Sequence, residues 1–135
     1  MAGTANSIIT PQTPRSAMAG VASANTTFTT SPANTALLVT FGANGGRLTR
    51  LQAIPLETVT ANALQAYRST DGGTTKYLAA VATGGSDTVS GTDGPTLVDF
   101  GYSDDNPLIG QANERIYVAT GIAKAYNFIA EWADY

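Results

Sequence analysis

The sequence predicts an all-β fold, a single-domain β-sandwich of jelly-roll-like type with an extended N-terminal arm. Three observations carry that expectation. Leu, Ile, Val, Thr and Tyr recur in short runs divided by Gly, Asn, Asp and Pro, which is the punctuation of strands and turns. Asn44-Gly45 and Asp71-Gly72 each stand between two apolar runs, and such dipeptides supply the backbone conformations of tight turns between strands. A chain of 135 residues is the size of one domain and can bury a core without disulfide or metal staples.

In chain order, residues 1–35 read as the arm. They are rich in Ala, Thr, Ser and Asn, contain Pro11, Pro14 and Pro32, and hold few large apolar anchors beyond Ile8, Ile9, Val21 and Phe28. A segment of this composition is expected to be mobile on its own and to order against a partner. Weak alternation through Ala17, Ala19 and Val21, and again around Phe28, adds one or two short strands to it.

Residues 36–135 read as the sandwich, built of roughly seven to ten short strands. Ala36 to Phe41 is the apolar run of a buried strand, and Gly42-Ala43-Asn44-Gly45-Gly46 reads as a tight hairpin turn into the next. Arg47 to Leu56 alternates incompletely. Leu48, Ile54 and Leu56 share a parity with Arg50 and Gln52, while Leu51 and Ala53 take the other, so both faces are expected to be covered, with Pro55 marking an edge or bulge. Leu64 to Arg68 and Lys76 to Ala82 form a β-hairpin around Asp71-Gly72. Gly84 to Pro95 is a polar excursion anchored only by Val89. Thr96 to Tyr102 and Pro107 to Ile109 are short strands around Ser103-Asp104-Asp105-Asn106. Arg115 to Thr120 and Lys124 to Trp132 read as a last strand pair joined near Gly121. Ile122, Tyr126, Ile129 and Ala133 also fit helical spacing, but Gly121 and the aromatic residues favour strand.

Composition narrows the function. The chain has no histidine and no cysteine, so it lacks the side chain suited to proton shuttling near neutrality, the thiolate nucleophile and the soft metal ligand. No catalytic residue and no cofactor is assigned, and the expectation is a non-enzymatic protein working through a surface. Arg15, Arg47, Arg50 and Arg68 against Glu57 leave residues 1–70 at +3, and residues 71–135 carry −6. Four scattered arginines do not make the dense basic patch that neutralises phosphates, so nucleic acid is not expected as a partner. The apolar runs are too short for a membrane helix, and MAGTANSIIT lacks the basic and apolar regions of a secretory signal, so no membrane is expected either.

Other signals have a structural and a functional reading. Ser69-Thr70-Asp71-Gly72-Gly73-Thr74-Thr75 resembles the Asp-box hairpin of sialidases, in which a carboxylate accepts backbone and hydroxyl hydrogen bonds; it occurs once, and Lys76 stands where an aromatic residue is usual. Asp87, Asp93 and Asp99, and separately Asp104-Asp105-Asn106, offer the hard oxygens calcium takes, although they equally suit solvated turns. Paired carboxylates for glycoside hydrolysis would have to come from acids that sit mostly in turns. Tyr117, Tyr126, Phe128, Trp132 and Tyr135 crowd the last twenty residues, as core or as a subunit interface.

In layout and composition the chain resembles the head decoration, or cement, proteins of tailed bacteriophages. The resemblance rests on the Pro/Thr-rich stretch Ile8-Ile9-Thr10-Pro11-Gln12-Thr13-Pro14, the turn Gly42 to Gly46 leading to Arg47-Leu48-Thr49, the strand Leu64-Gln65-Ala66-Tyr67, the segment Arg115 to Gly121, and the aromatic and acidic C-terminal stretch. It implies a virion protein made in the bacterial cytoplasm. Such a protein binds the outer surface of the capsid, with the major capsid protein as partner and copies of itself clustered as homotrimers. Ile8, Ile9, Thr10, Pro11, Gln12, Pro14 and Arg15 are the first candidates for contact with coat or neighbouring subunits. The rival expectations are a tail-fibre or baseplate domain, or a carbohydrate-binding sandwich with an exposed aromatic platform, and after those a tail-tube or head-completion protein forming rings.

Overall fold

The computed structural model describes residues 13–135, which contain no helix and form nine strands in two antiparallel sheets. The strands are β1 Thr13–Val21, β2 Ala36–Thr40, β3 Gly46–Pro55, β4 Asn62–Ser69, β5 Tyr77–Gly84, β6 Val98–Asp99, β7 Leu108–Gly110, β8 Arg115–Thr120 and β9 Tyr126–Asp134. The first sheet runs β1-β9-β3, with β6 and β7 pairing in succession along the far edge of β3; the second runs β2-β8-β4-β5. Apart from the β4–β5 hairpin and the divided edge β6/β7, every connection passes from one sheet to the other, which is the jelly-roll arrangement. The expected all-β sandwich is therefore the fold.

That alternation between sheets corrects two expected hairpins. Gly42 to Gly46 does not join paired strands, because β2 lies in the second sheet and β3 in the first. The turn is real: Gly45 N–H donates to Gly42 O at 3.0 Å and Gly45 adopts φ 80°. Its task is to turn the chain across the sandwich. Phe41 then packs in the core, edge-on to Trp132 with ring centroids 6.5 Å apart. Likewise β8 and β9 do not pair. β8 lies between β2 and β4, whereas β9 lies between β1 and β3. Local signals identify a turn, but only the closing of two apolar faces on each other decides which sheet the next strand joins.

β3 shows why its sequence alternates badly. The register with β9 slips between Leu48 and Arg50, so Thr49 forms a bulge and Leu48 falls on the same buried face as Leu51 and Ala53. Arg50, Gln52 and Ile54 then share the outward face. Along β9 the alternation is regular. Tyr126, Phe128, Ala130 and Trp132 point into the core, and the aromatic run is core rather than interface. Facing them from the second sheet are Val39, Leu64, Ala66, Ile116 and Val118.

The segment expected to be an arm contributes two parts to this body. Thr13–Val21 is a nine-residue strand laddered to β9 throughout, with Ala17, Ala19 and Val21 turned inward as their alternation suggested. Residues 22–35 cross the outer side of the second sheet as a strap. Ala24 bridges Thr120 and Lys76 N–H donates to Thr30 O, so the strap spans from β8 to the start of β5. Beneath it lie Tyr67, Tyr117 and Ala119, a second apolar cluster on the face of the sheet away from the main core.

Candidate functional site

The candidate contact residues divide at the boundary of the described chain. Ile8, Ile9, Thr10, Pro11 and Gln12 lie outside the described residues. Pro14 and Arg15 lie at the start of β1, an edge strand in which only Val21 is buried. Arg15 reaches Asp134, its Nε 3.2 Å from Oδ2. Asp134 also accepts hydrogen bonds from Gly42 N–H at 3.0 Å and from the Trp132 indole at 3.2 Å, which joins the rim of β1 to the end of β9 and to the β2–β3 turn. Beside this point an open groove of ≈ 440 Å³ is lined by Pro14, Arg15, Ser16, Arg47, Thr49, Glu131, Trp132 and Ala133. Thr49 in this lining is the bulge residue of β3.

The remaining charges are largely held within the fold. Arg50 pairs with Glu131 at 3.4 Å and Lys124 with Glu57 at 3.6 Å. Arg47 and Arg115 donate to the carbonyls of Asp104 and Gly72, and Lys76 lies 4.5 Å from the centre of the Tyr117 ring. Arg68 forms a two-pronged ion pair with Glu114, which is 1% exposed and also accepts Gln111 N–H at 3.0 Å. The Glu114 hydrogen bond, more than burial, acts on the Arg68 guanidinium and raises its pKa. Burial raises the pKa of the nearby Tyr102 phenol, partly offset by Arg68. Glu114 is a buried carboxylate that sequence reasoning missed, since Asn113-Glu114-Arg115 looks like an ordinary polar turn.

The acidic loops bind their own backbone. Asp87 accepts Thr96 N–H at 2.7 Å, and Asp99 accepts Gly101 N–H at 2.8 Å and the Gln52 side chain at 3.1 Å. Among the described residues no three acidic side chains converge as a metal site. The loop expected at 84–95 is tied at Asp87, whose backbone exchanges two hydrogen bonds with Val59. The Asp-box-like segment folds as its residues suggest. Ser69 Oγ donates to Asp71 Oδ1 at 2.8 Å and accepts Gly73 N–H at 2.9 Å, while Thr75 N–H approaches both Asp71 oxygens. These donors, led by Thr75 N–H, hold the Asp71 carboxyl below the ordinary range.

The surface also carries large apolar side chains. Phe28 on the strap, Tyr77, Leu78 and Val81 on β5, and Met18, Leu56, Leu97 and Ile109 around the first sheet are all exposed. These outward residues were not singled out from sequence, because parity alone does not say which face a sandwich covers.

No protein-family model and no curated protein matches this chain. Among solved structures, Eiger TNF from S. frugiperda is similar at 10% identity with a TM-score of 0.56, covering 92% of this chain and 93% of that one. That likeness concerns the fold alone.

Proposed function

We propose that this protein is a non-enzymatic virion structural protein, one that binds the outer surface of a tailed-phage capsid and stabilises it. The observation that carries the reading is the placement of β1. It is an edge strand with Thr13, Pro14, Arg15 and Ser16 exposed, so the described chain begins at the rim of the sandwich. The resemblance in layout to capsid decoration proteins supports the partner, the major capsid protein. Many modest contacts repeated by symmetry make such an attachment durable even where each is weak.

The test is co-sedimentation with coat-protein shells prepared without this protein. Full-length chain should bind saturably at a fixed ratio. A chain lacking residues 1–12 keeps β1 and the Arg15–Asp134 pair, so it should melt at the same temperature while its binding to shells falls at least tenfold. Undiminished binding would remove residues 1–12 from the mechanism, and no binding by the full-length chain would remove the capsid reading.

A second reading, a glycan-binding domain of a tail fibre or baseplate, draws on the exposed Phe28 and Tyr77 beside the strap. Specific retention on a glycan array, lost in Tyr77→Ala, would favour it over the first.

A further inference from the structure

The two sheets differ in how their outer faces are finished. On the second sheet the strap of the chain itself covers the middle of the outer face, over Tyr67 and Ala119, while Leu37 on β2 and Leu78 and Val81 on β5 stay exposed beside it. Over the first sheet no described segment lies. Its outward positions follow from the registers: Met18 lies opposite Ile129, Ile129 opposite Gln52, Gln52 opposite Asp99, and Arg47 opposite both Ala133 and Ile109. Ile54 shares the outward parity of Gln52, and Leu56 and Leu97 continue it just beyond β3 and before β6. Six large aliphatic side chains, Met18, Ile54, Leu56, Leu97, Ile109 and Ile129, therefore lie on one side of the sandwich. Met18 is 80% exposed.

The charges on that face are balanced where they stand. Arg50 is paired with Glu131, and Asp99 is hydrogen-bonded to Gln52, while Arg47 donates to the Asp104 carbonyl. Two arginines and two acids leave it with no net charge, so a partner of either sign gains little. A neutral surface with balanced charges is complementary to another copy of itself. The three long strands, about 4.8 Å apart and about nine residues long at about 3.4 Å each, together with the short β6 and β7, cover roughly 500 Å² in projection. That is over half of the ~800 Å² per partner of a stable interface. We infer that this face is where copies of the chain meet, with the outer side of β1-β9-β3 of one copy packing against its neighbours. The inference deepens the structural-protein reading, because it assigns this face to self-association and leaves residues 1–12 to the coat.

The test uses the purified full-length chain in the absence of any capsid. Light scattering coupled to size-exclusion chromatography should give a mass that is a multiple of 13.9 kDa. Met18→Glu combined with Ile129→Glu should convert it to monomer, with the circular dichroism spectrum unchanged. Leu78→Glu combined with Val81→Glu, on β5, should remain assembled. A monomeric wild type, an assembled face variant, or dissociation only by the β5 variant would each overturn the inference. Because the chain has no cysteine, Met18→Cys offers a gentler second probe. Its thiol should react at least tenfold more slowly with a thiol reagent in the assembled protein than after dilution to monomer, whereas Tyr77→Cys should not change; equal protection at both sites overturns it. Co-sedimentation with shells separates the two proposals. Assembly without coat binding retains this face and removes the capsid role, while a monomer that loses coat binding on Met18→Glu makes the face a coat-docking surface instead.

Discussion

The Asn25 side chain joins the strap to the second sheet. Its nitrogen lies 2.6 Å from Gln65 Oε1, 2.9 Å from the Tyr67 hydroxyl and 2.7 Å from Thr27 O, and its oxygen accepts Ala33 N–H at 3.1 Å. Asn25, Gln65 and Tyr67 are all within about 1% of full burial. Removing one member leaves polar atoms without water or partner, so Asn25→Ala should lower stability by about 2–3 kcal/mol in urea denaturation. Asp71 makes a smaller and pH-dependent contribution at the surface. Its carboxyl is held below the ordinary aspartate value of about 3.9, so its contribution is fully present above that value and is lost as pH falls through the lowered folded value. Melting curves of wild type and Asp71→Asn should therefore differ above about pH 4 and converge in stronger acid.

At the scale of elements, the Thr49 bulge and the strap change what the sequence pattern appears to say. Without Thr49 the segment before it would shift by one residue and turn Leu48 outward. Deleting Thr49 should cost about 2–5 kcal/mol, the range for losing a buried leucine, measured by the same denaturation midpoint. A Thr49→Ala replacement retains the bulge and should change the midpoint little. The strap acts on the tyrosine pair on the outer face of the second sheet: Asn25 and Thr27 hydrogen-bond Tyr67, and Lys76, whose N–H donates to Thr30 O, lies over the Tyr117 ring.

For the molecule as a whole, the jelly roll places the last strand at the centre of the first sheet. β9 pairs β1 on one side and β3 on the other, so without it β1 has no partner strand and β3 only the short β6 and β7. A chain ending at Ala125 should fail to fold, giving a disordered circular dichroism spectrum or an insoluble product. The same topology leaves β1 as an edge and directs the outer face of β1-β9-β3 away from the strap. Both surfaces invoked for assembly are thus consequences of strand order and not of any single motif.

Strand content, the β4–β5 hairpin, the Asp71 turn and the inward parity of Tyr126, Phe128 and Trp132 were legible in the sequence, because each depends on residues close together in the chain. So was the weak alternation that became β1. Two assumed hairpins, the bulge at Thr49, the burial of Glu114 and the strap were not, because each depends on which distant strand or loop comes to lie alongside. The candidate residues Pro14 and Arg15 were named from composition and resemblance. Their place at a rim, beside a groove and tied to Asp134, comes from the pairing of two strands more than a hundred residues apart. By itself the sequence determined that the chain makes strands and lacks His and Cys chemistry, since propensity and composition are local properties. Which face was covered and which stayed open were decided only in the tertiary structure, by the burial of two apolar faces against each other.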